Sequence, residues 1–488
     1  MLPRLCRSSL LLLALLPAGC RVGPDYEPPD LSPRTEAPWR APDNAVIRGE
    51  RAELSRWWER LGSAELSTLA ERLVNENLSL AEARQRVITA RARAGLVEAD
   101  RWPEVSSAAG YIRAGTGDQS LNFQGPPRGR EVDVTSVSVS AAWEIDLWGR
   151  VARAVEAAEA DVDVAIEDFR AASVSLLAEL ALAFVAVQTL HARLEVAARS
   201  VALQRETRRL AESRLEAGSG TRLDVDQATR ELDTTRASVP ELKRQLALAE
   251  NRVALLLGER PSDGLVIAGD TLTLPDAIDI GLPADLLSRR PDVRRSERTL
   301  AGAVARIGVA EGERYPRLSL SGTLALRTQD LGNLGSGLDA WSYSAGPSLV
   351  VPLFTGGRID QGVAISESEA EVARLRLERT LLEAIAEVEN AAAGVVRSRE
   401  RLEILASAAA AAERARELAR ELHEAGTRSL LQVIDAERAE VASVDALLVA
   451  RQSAFERTIE LYRALGGGWP EDAANLPRPD LPEESTTP

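Results

Sequence analysis

Ser136-Val-Ser-Val-Ser-Ala-Ala-Trp-Glu-Ile145, followed by Asp146-Leu-Trp-Gly-Arg150, is where the chain changes its period. Up to Ile145 the residues alternate. Val137, Val139, Ala141, Trp143 and Ile145 form one row, and Ser136, Ser138, Ser140, Ala142 and Glu144 the other. A period of two gives a strand with one apolar and one mostly polar face. After Arg150 the apolar residues recur every third or fourth position, from Val151 and Val155 through Phe169, Leu180 and Leu190 to Val201. No Pro or Gly falls between Val151 and Ala217. The spacing predicts one helix of about 65 residues, roughly 100 Å long. A compact globular domain has no use for such a rod.

Outward from this stretch, the helix stops at Ala217-Gly-Ser-Gly220 and a second one is expected from about Arg222 to Leu257. Upstream, a helical pattern runs from Ser63 to Arg101 and is stopped by Pro103. A strand from Val105 to Arg113 and a Gly/Asn/Gln/Pro loop to about Gly129 complete a hairpin with the opening strand.

The second half repeats this order. Glu216 to Arg230 aligns with Glu424 to Arg438 at an offset of 208, with seven of fifteen positions identical. The same offset sets Gly149-Arg150 on Gly357-Arg358 and Gly258 on Gly466. Strands are expected over 318–327 and 341–353, and a second long helix from Ile359 to Ala425. A repeat of this length makes the chain a duplication. The domain reading is a leader at 1–19, an extended arm at 20–62, repeats at 63–270 and 271–467, and a loose tail at 468–488.

The leader carries Arg4 and Arg7, an apolar run from Leu10 to Leu16, and Ala18-Gly19 before Cys20. It is too short to span a membrane, and no later run of about 20 apolar residues is expected. It resembles a bacterial lipoprotein signal, in which Cys20 becomes the lipidated first residue. The arm is rich in Pro, and Trp57-Trp58 near its end are placed to pack on the body.

Charged residues are 27% and aromatics 4%, which suits long packed helices. A net charge of −15 argues against a nucleic-acid surface. Two cysteines and two histidines, His191 and His423, build neither a disulfide framework nor a metal cluster. Both histidines are expected in satisfied or solvated positions on helices. No phosphate loop, nucleophile motif or cofactor fingerprint is present, so no cofactor and no enzyme activity are expected. Glu144 and Asp146 could suggest paired carboxylates; at a strand–helix junction they read as structural.

The fold class is mainly α with a small β part. Four strands with apolar and Ser/Thr rows suit a transmembrane β-barrel, but four cannot close one, and open edges are not tolerated in lipid. Several chains would share the barrel. The alternative on pattern alone is a pair of soluble hairpins packed on helices.

Several motifs carry a resemblance: Cys20-Arg-Val-Gly-Pro-Asp-Tyr26, Asn77-Leu-Ser-Leu80, Trp143-Glu-Ile-Asp-Leu-Trp-Gly-Arg150, Arg289-Arg-Pro-Asp-Val293 and Pro352-Leu-Phe-Thr-Gly-Gly-Arg358. The chain resembles the TolC/OprM/NodT outer-membrane factors, close to the lipoproteins serving resistance-nodulation-division pumps. The resemblance implies a homotrimer whose long helical hairpins form a trimeric α-barrel, continued by a shared twelve-stranded transmembrane β-barrel. It implies a passive exit duct for small molecules such as drugs, in outer-membrane lipid. Its partners would be a periplasmic adaptor protein and an inner-membrane transporter. Cys20 would be the lipid anchor.

It also implies that the turns after the long helices are the periplasmic tip. The docking turns would be Gly218 to Thr221 and Gly426 to Ser429. The gate would draw on Arg428, Gln432 and Asp435, expected on one helical face, and on Asp224 across the first turn. Arg428 would hold the closed tip through a carboxylate, Asp224 first among the candidates. Gln432 stands where some members carry an aspartate. Two rivals stay open: an outer-membrane channel of type I protein secretion, and a secreted coiled-coil spacer without a pore.

Overall fold

The computed structural model describes residues 21–40, 46–50, 53–115, 131–263, 267, 272–328 and 341–469. Cys20, the leader, the loop before Gly129 and most of the tail lie outside the described residues.

After short elements in the arm, the main elements are two helices, α1 (Ala64–Glu76) and α2 (Leu78–Ala99), then strands β1 (Glu104–Gly115) and β2 (Glu131–Ile145). The long helix α3 (Arg150–Glu216) and α4 (Arg222–Leu256) follow. The second set is α5 (Pro291–Gly312), β3 (Arg317–Thr328), β4 (Trp341–Val350), α6 (Arg358–Glu424) and α7 (Leu430–Ala464). Helices α3 and α6 have 67 residues each, and α4 and α7 have 35 each. Helix α4 continues through Pro240.

The helical pattern read as one element from Ser63 to Arg101 is broken at Asn77. Its backbone is extended, its Oδ1 accepts from the Leu80 N–H at 2.9 Å, and its Nδ2 donates to the Leu256 carbonyl at 2.7 Å. An N-cap side chain satisfied on both sides starts a new helix where apolar spacing alone shows no boundary. A second correction concerns hydropathy. Helix α3 contains an 18-residue window of mean hydropathy 1.8, long and apolar enough by composition to cross a membrane. Half of that window is buried in protein, and Leu177, Leu180, Phe184 and Val187 belong to the main core.

The strands form one antiparallel sheet in the order β1-β2-β3-β4. Its register keeps like with like. Val137, Val139 and Trp143 pair with Leu326, Leu324 and Leu320, and these face Trp341, Tyr343 and Pro347 on β4. On the other face Ser140 pairs with Thr323 and Thr323 with Ser344. The Ser140 and Thr323 hydroxyls lie 3.3 Å apart. A one-residue slip would put the serine rows on the leucine face, so the pattern pins the register. Among the described residues β1 and β4 each leave one edge unpaired.

Aromatic residues mark both ends of the sheet. Trp148 stacks on Tyr315 at 5.1 Å and donates to the Pro316 carbonyl at 2.9 Å. At the opposite end Trp341 stacks on Tyr343 at 5.5 Å. The core lies below the sheet, where α1, α2, α5 and the middle of α3 meet α6 and α7. Trp57 is buried there, stacked on Tyr462 at 5.2 Å.

The arm is lashed along this body. The Val22 N–H donates to the Trp148 carbonyl at 3.0 Å. Buried Arg153 donates to the Val22 and Gly23 carbonyls and to Asp25. Further down, Trp39 Nε1 donates to the Gly281 carbonyl at 2.7 Å, and Ile47–Arg48 pairs in parallel with Ile278–Asp279.

Candidate functional site at the helix hairpin tips

Two turns end the long helices. After α3, the N–H groups of Gly218 and Ser219 return to the carbonyls of Leu215 and Arg214. After α6, those of Gly426 and Thr427 return to His423 and Leu422. Gly218 and Gly426 have φ of +73° and +74°, the left-handed conformation that ends a helix and that a side chain disfavours. Gly218, Thr221, Gly426 and Ser429 are all exposed.

The starts of α4 and α7 differ. Thr221 and Asp224 form a reciprocal capping box. Ser429, the N-cap of α7, makes no such bond. Its extended backbone means that Arg428 precedes the helix, which corrects the expectation of one helical face for Arg428, Gln432 and Asp435. Gln432 and Asp435, three residues apart, share the exposed surface of α7. Asp435 lies 3.7 Å from Arg438.

Between the two turns is a cavity of about 220 Å³, lined by Arg214, Ser219, Asp224, His423, Arg428 and Ser429 among others. It brings Arg428 and Asp224 to one place without an ion pair between them. The Arg428 carbonyl accepts from His423 Nδ1 at 2.8 Å. His423 Nε2 accepts from Arg214 Nη1 at 2.5 Å. His423 is buried, so the expected satisfied histidine turns out to join both hairpins.

Below the turns Ala211, Val225, Ala228, Leu430, Val433 and Ile434 form a small apolar layer. Polar ties between the hairpins continue along the helices. Arg420 of α6 meets Glu206 of α3 at 3.2 Å, Arg438 of α7 meets Glu231 of α4 at 2.6 Å, and Arg193 of α3 meets Asp445 of α7 at 2.7 Å. Glu437 is buried and accepts from the Thr207 hydroxyl at 3.0 Å. Burial pushes its carboxyl above the usual range, against the pull of Thr207, Arg420 and Arg416. Sequence reasoning missed this set. One signal was available: at the repeat offset of 208 His423 falls on Leu215, a polar ring in an apolar place.

Glu144 and Asp146 have local duties. Glu144 accepts from Arg150 at 2.9 Å, and Asp146 accepts from the Ala152 N–H at 2.8 Å near the start of α3.

Comparison with known proteins agrees with this architecture. The family model described as "Outer membrane efflux protein" matches residues 69–259 and 282–467. Nodulation protein T of Rhizobium leguminosarum bv. viciae is 29% identical over 477 residues, covering 97% of this chain and 95% of that protein. The pyoverdine export outer membrane protein OpmQ of Pseudomonas aeruginosa is 30% identical, covering 97% and 99%. The solved outer-membrane channel OprN superposes with a TM-score of 0.82 at 33% identity, covering 92% of this chain and all of that one. With matched stretches that take in both hairpins and both strand pairs, the chain belongs to the outer membrane efflux protein family.

Proposed function

We propose that three copies of this chain form the outer-membrane exit duct of a tripartite efflux system. One observation carries the reading. A sheet with an apolar face, a Ser/Thr face and two open edges is joined directly to helices of 67 residues. In lipid the edges must be covered, and three such sheets close a twelve-stranded barrel with the serine rows around a wet lumen. The aromatic pairs at the two ends of the sheet suit the two membrane interfaces. The long helices then reach roughly 100 Å into the periplasm. The equal lengths of α3 and α6, and of α4 and α7, support an internal duplication within the segments 63–270 and 271–467.

Small molecules such as drugs pass through without chemistry. The pump and adaptor supply energy and choice of cargo. The exposed turns at Gly218–Thr221 and Gly426–Ser429 are the docking points for the adaptor. Arg428, Gln432, Asp435 and Asp224 surround the constriction, where three-fold repetition turns each charge into a ring. Cys20 is the lipid anchor. Val22, the second described residue, is held beside Trp148 at the sheet–helix junction.

The test is conductance of the purified full-length protein in planar bilayers, with its mass in detergent. Stepwise channels from a particle of three chains are expected. A monomer that leaves bilayers silent would overturn the reading.

A further inference from the structure

His423 is 5% exposed. Its Nδ1 is 2.8 Å from a carbonyl oxygen, which only accepts, and its Nε2 is 2.5 Å from a guanidinium nitrogen, which only donates. Both contacts are satisfied by one state of the ring: neutral, with its proton on Nδ1. A second proton can go only to Nε2, where it meets Arg214, a group that never gives up its charge. We propose that His423 is a pH-sensitive latch between the two hairpin tips of each chain. Neutral, it joins α3 to the turn that follows α6. Protonated, it repels Arg214 and the tips part. The proposal rests on the tips being the periplasmic end of a duct.

Each element packed on the ring brings its own groups to it. From α3 the facing charge is Arg214 itself. From α4 it is Asp224, whose carboxylate is engaged by Thr221 at 2.7 and 3.0 Å. The turn brings Arg428, a second cation, and α7 brings apolar Leu430. On its own helix, Glu424 is paired with Arg420, which also holds Glu206 of α3. The carbonyl end of α6 adds partial negative charges to this set, and Arg214 a whole positive one at hydrogen-bond distance.

The apolar layer around Ala211 and Ile434 is untouched by the proton and keeps the hairpins packed one turn further on. Parting is therefore confined to the last turn. The Arg214 carbonyl also holds the N–H groups of Ser219 and Gly220, so a displaced Arg214 disturbs the first turn as well. The equivalent position in the first repeat is Leu215, so the switch exists once per chain.

The experiment uses the full-length protein in planar bilayers, with the tip side at pH 7.5 and then at 5.5. An unperturbed histidine is the side chain whose charge changes across that range. The wild type should open several-fold more often in acid. His423→Gln keeps a donor and an acceptor but cannot gain charge, and should open equally at both pH values. Arg214→Gln should blunt the response. As a second readout, spin labels at Glu216→Cys and Ala425→Cys, in chains diluted among unlabelled ones, should move apart by several Å in acid. They should stay fixed when His423→Gln is added. A response in His423→Gln equal to that of the wild type, or labels that do not move in the wild-type background, would overturn the latch. Failure of the duct reading looks different: bilayers stay silent at both pH values while the labels still report the tips.

Discussion

The Asp224 carboxylate accepts from both the N–H and the hydroxyl of Thr221, and Thr221 Oγ1 accepts from the Asp224 N–H at 3.2 Å. This acid is turned towards the start of its own helix, while Arg428 stands across the cavity with no carboxylate paired to it among the described residues. The two residues therefore fail differently. Asp224→Ala should weaken the start of α4 by about 1 kcal/mol. Arg428→Ala should leave thermal stability within about 0.5 kcal/mol. In single-channel recordings it should open more often. Unchanged conductance and opening would remove Arg428 from the proposed gate.

Glu437 gives a pH dependence with a definite sign. Its folded carboxyl holds a proton more tightly than an unfolded one would. The favourable contribution is complete at low pH and is lost as pH rises through the folded value. Glu437→Gln keeps an acceptor for Thr207 and removes the buried charge. It should melt higher than the wild type at pH 8, by about 1 kcal/mol, and at the same temperature at pH 4. Thermal unfolding in detergent at both pH values checks this; equal melting at pH 8 counts against a strained carboxylate.

Arg153 holds the arm. Its side chain is 1% exposed, bonds Val22, Gly23 and Asp25, and meets Glu156 at 2.8 Å. Arg153→Ala strands the Val22 and Gly23 carbonyls while exposed Asp25 returns to water, at a cost of about 1–3 kcal/mol. The arm should then become sensitive to limited proteolysis between residues 21 and 40 while the hairpins stay resistant. An arm as resistant as in the wild type would show that Trp39 and the pairing at Ile47 suffice.

The two faces of β2 should tolerate opposite changes. Val139→Arg puts a charge on the apolar face, near the middle of the strand, at about 2–4 kcal/mol. Loss of the protein from the outer-membrane fraction is expected. Ser140→Arg, one residue on, should insert normally and change ion selectivity. Equal amounts of both variants in the membrane would reverse the assignment of faces.

Much of this was legible because it rests on period. The serine–valine alternation and the unbroken stripe after Val151 depend on side-chain direction alone, and the long helices and two of the strands appear within two residues of their expected limits, while β2 starts five residues earlier and β4 ends three earlier. Both turns were marked by glycine. The break at Asn77 was hidden because its partner, the Leu256 carbonyl, is 179 residues away. The same holds for His423, whose meaning depends on Arg214 at a separation of 209 residues. Helix α5 followed from the repeat, which sets a helix before the second pair of strands, rather than from a period of its own. At the tips, sequence named the turns correctly but placed Arg428 on a helix that starts two residues later.

The unpaired edges of β1 and β4 bear on inheritance as well as on folding. If three sheets close the duct as proposed, it has no partial form, and a chain with a spoiled sheet disables the sound chains it joins. If good and spoiled chains are made equally and mix freely, roughly one assembly in eight is wholly sound. Such alleles should act dominantly, which makes the membrane face of this sheet its least forgiving surface.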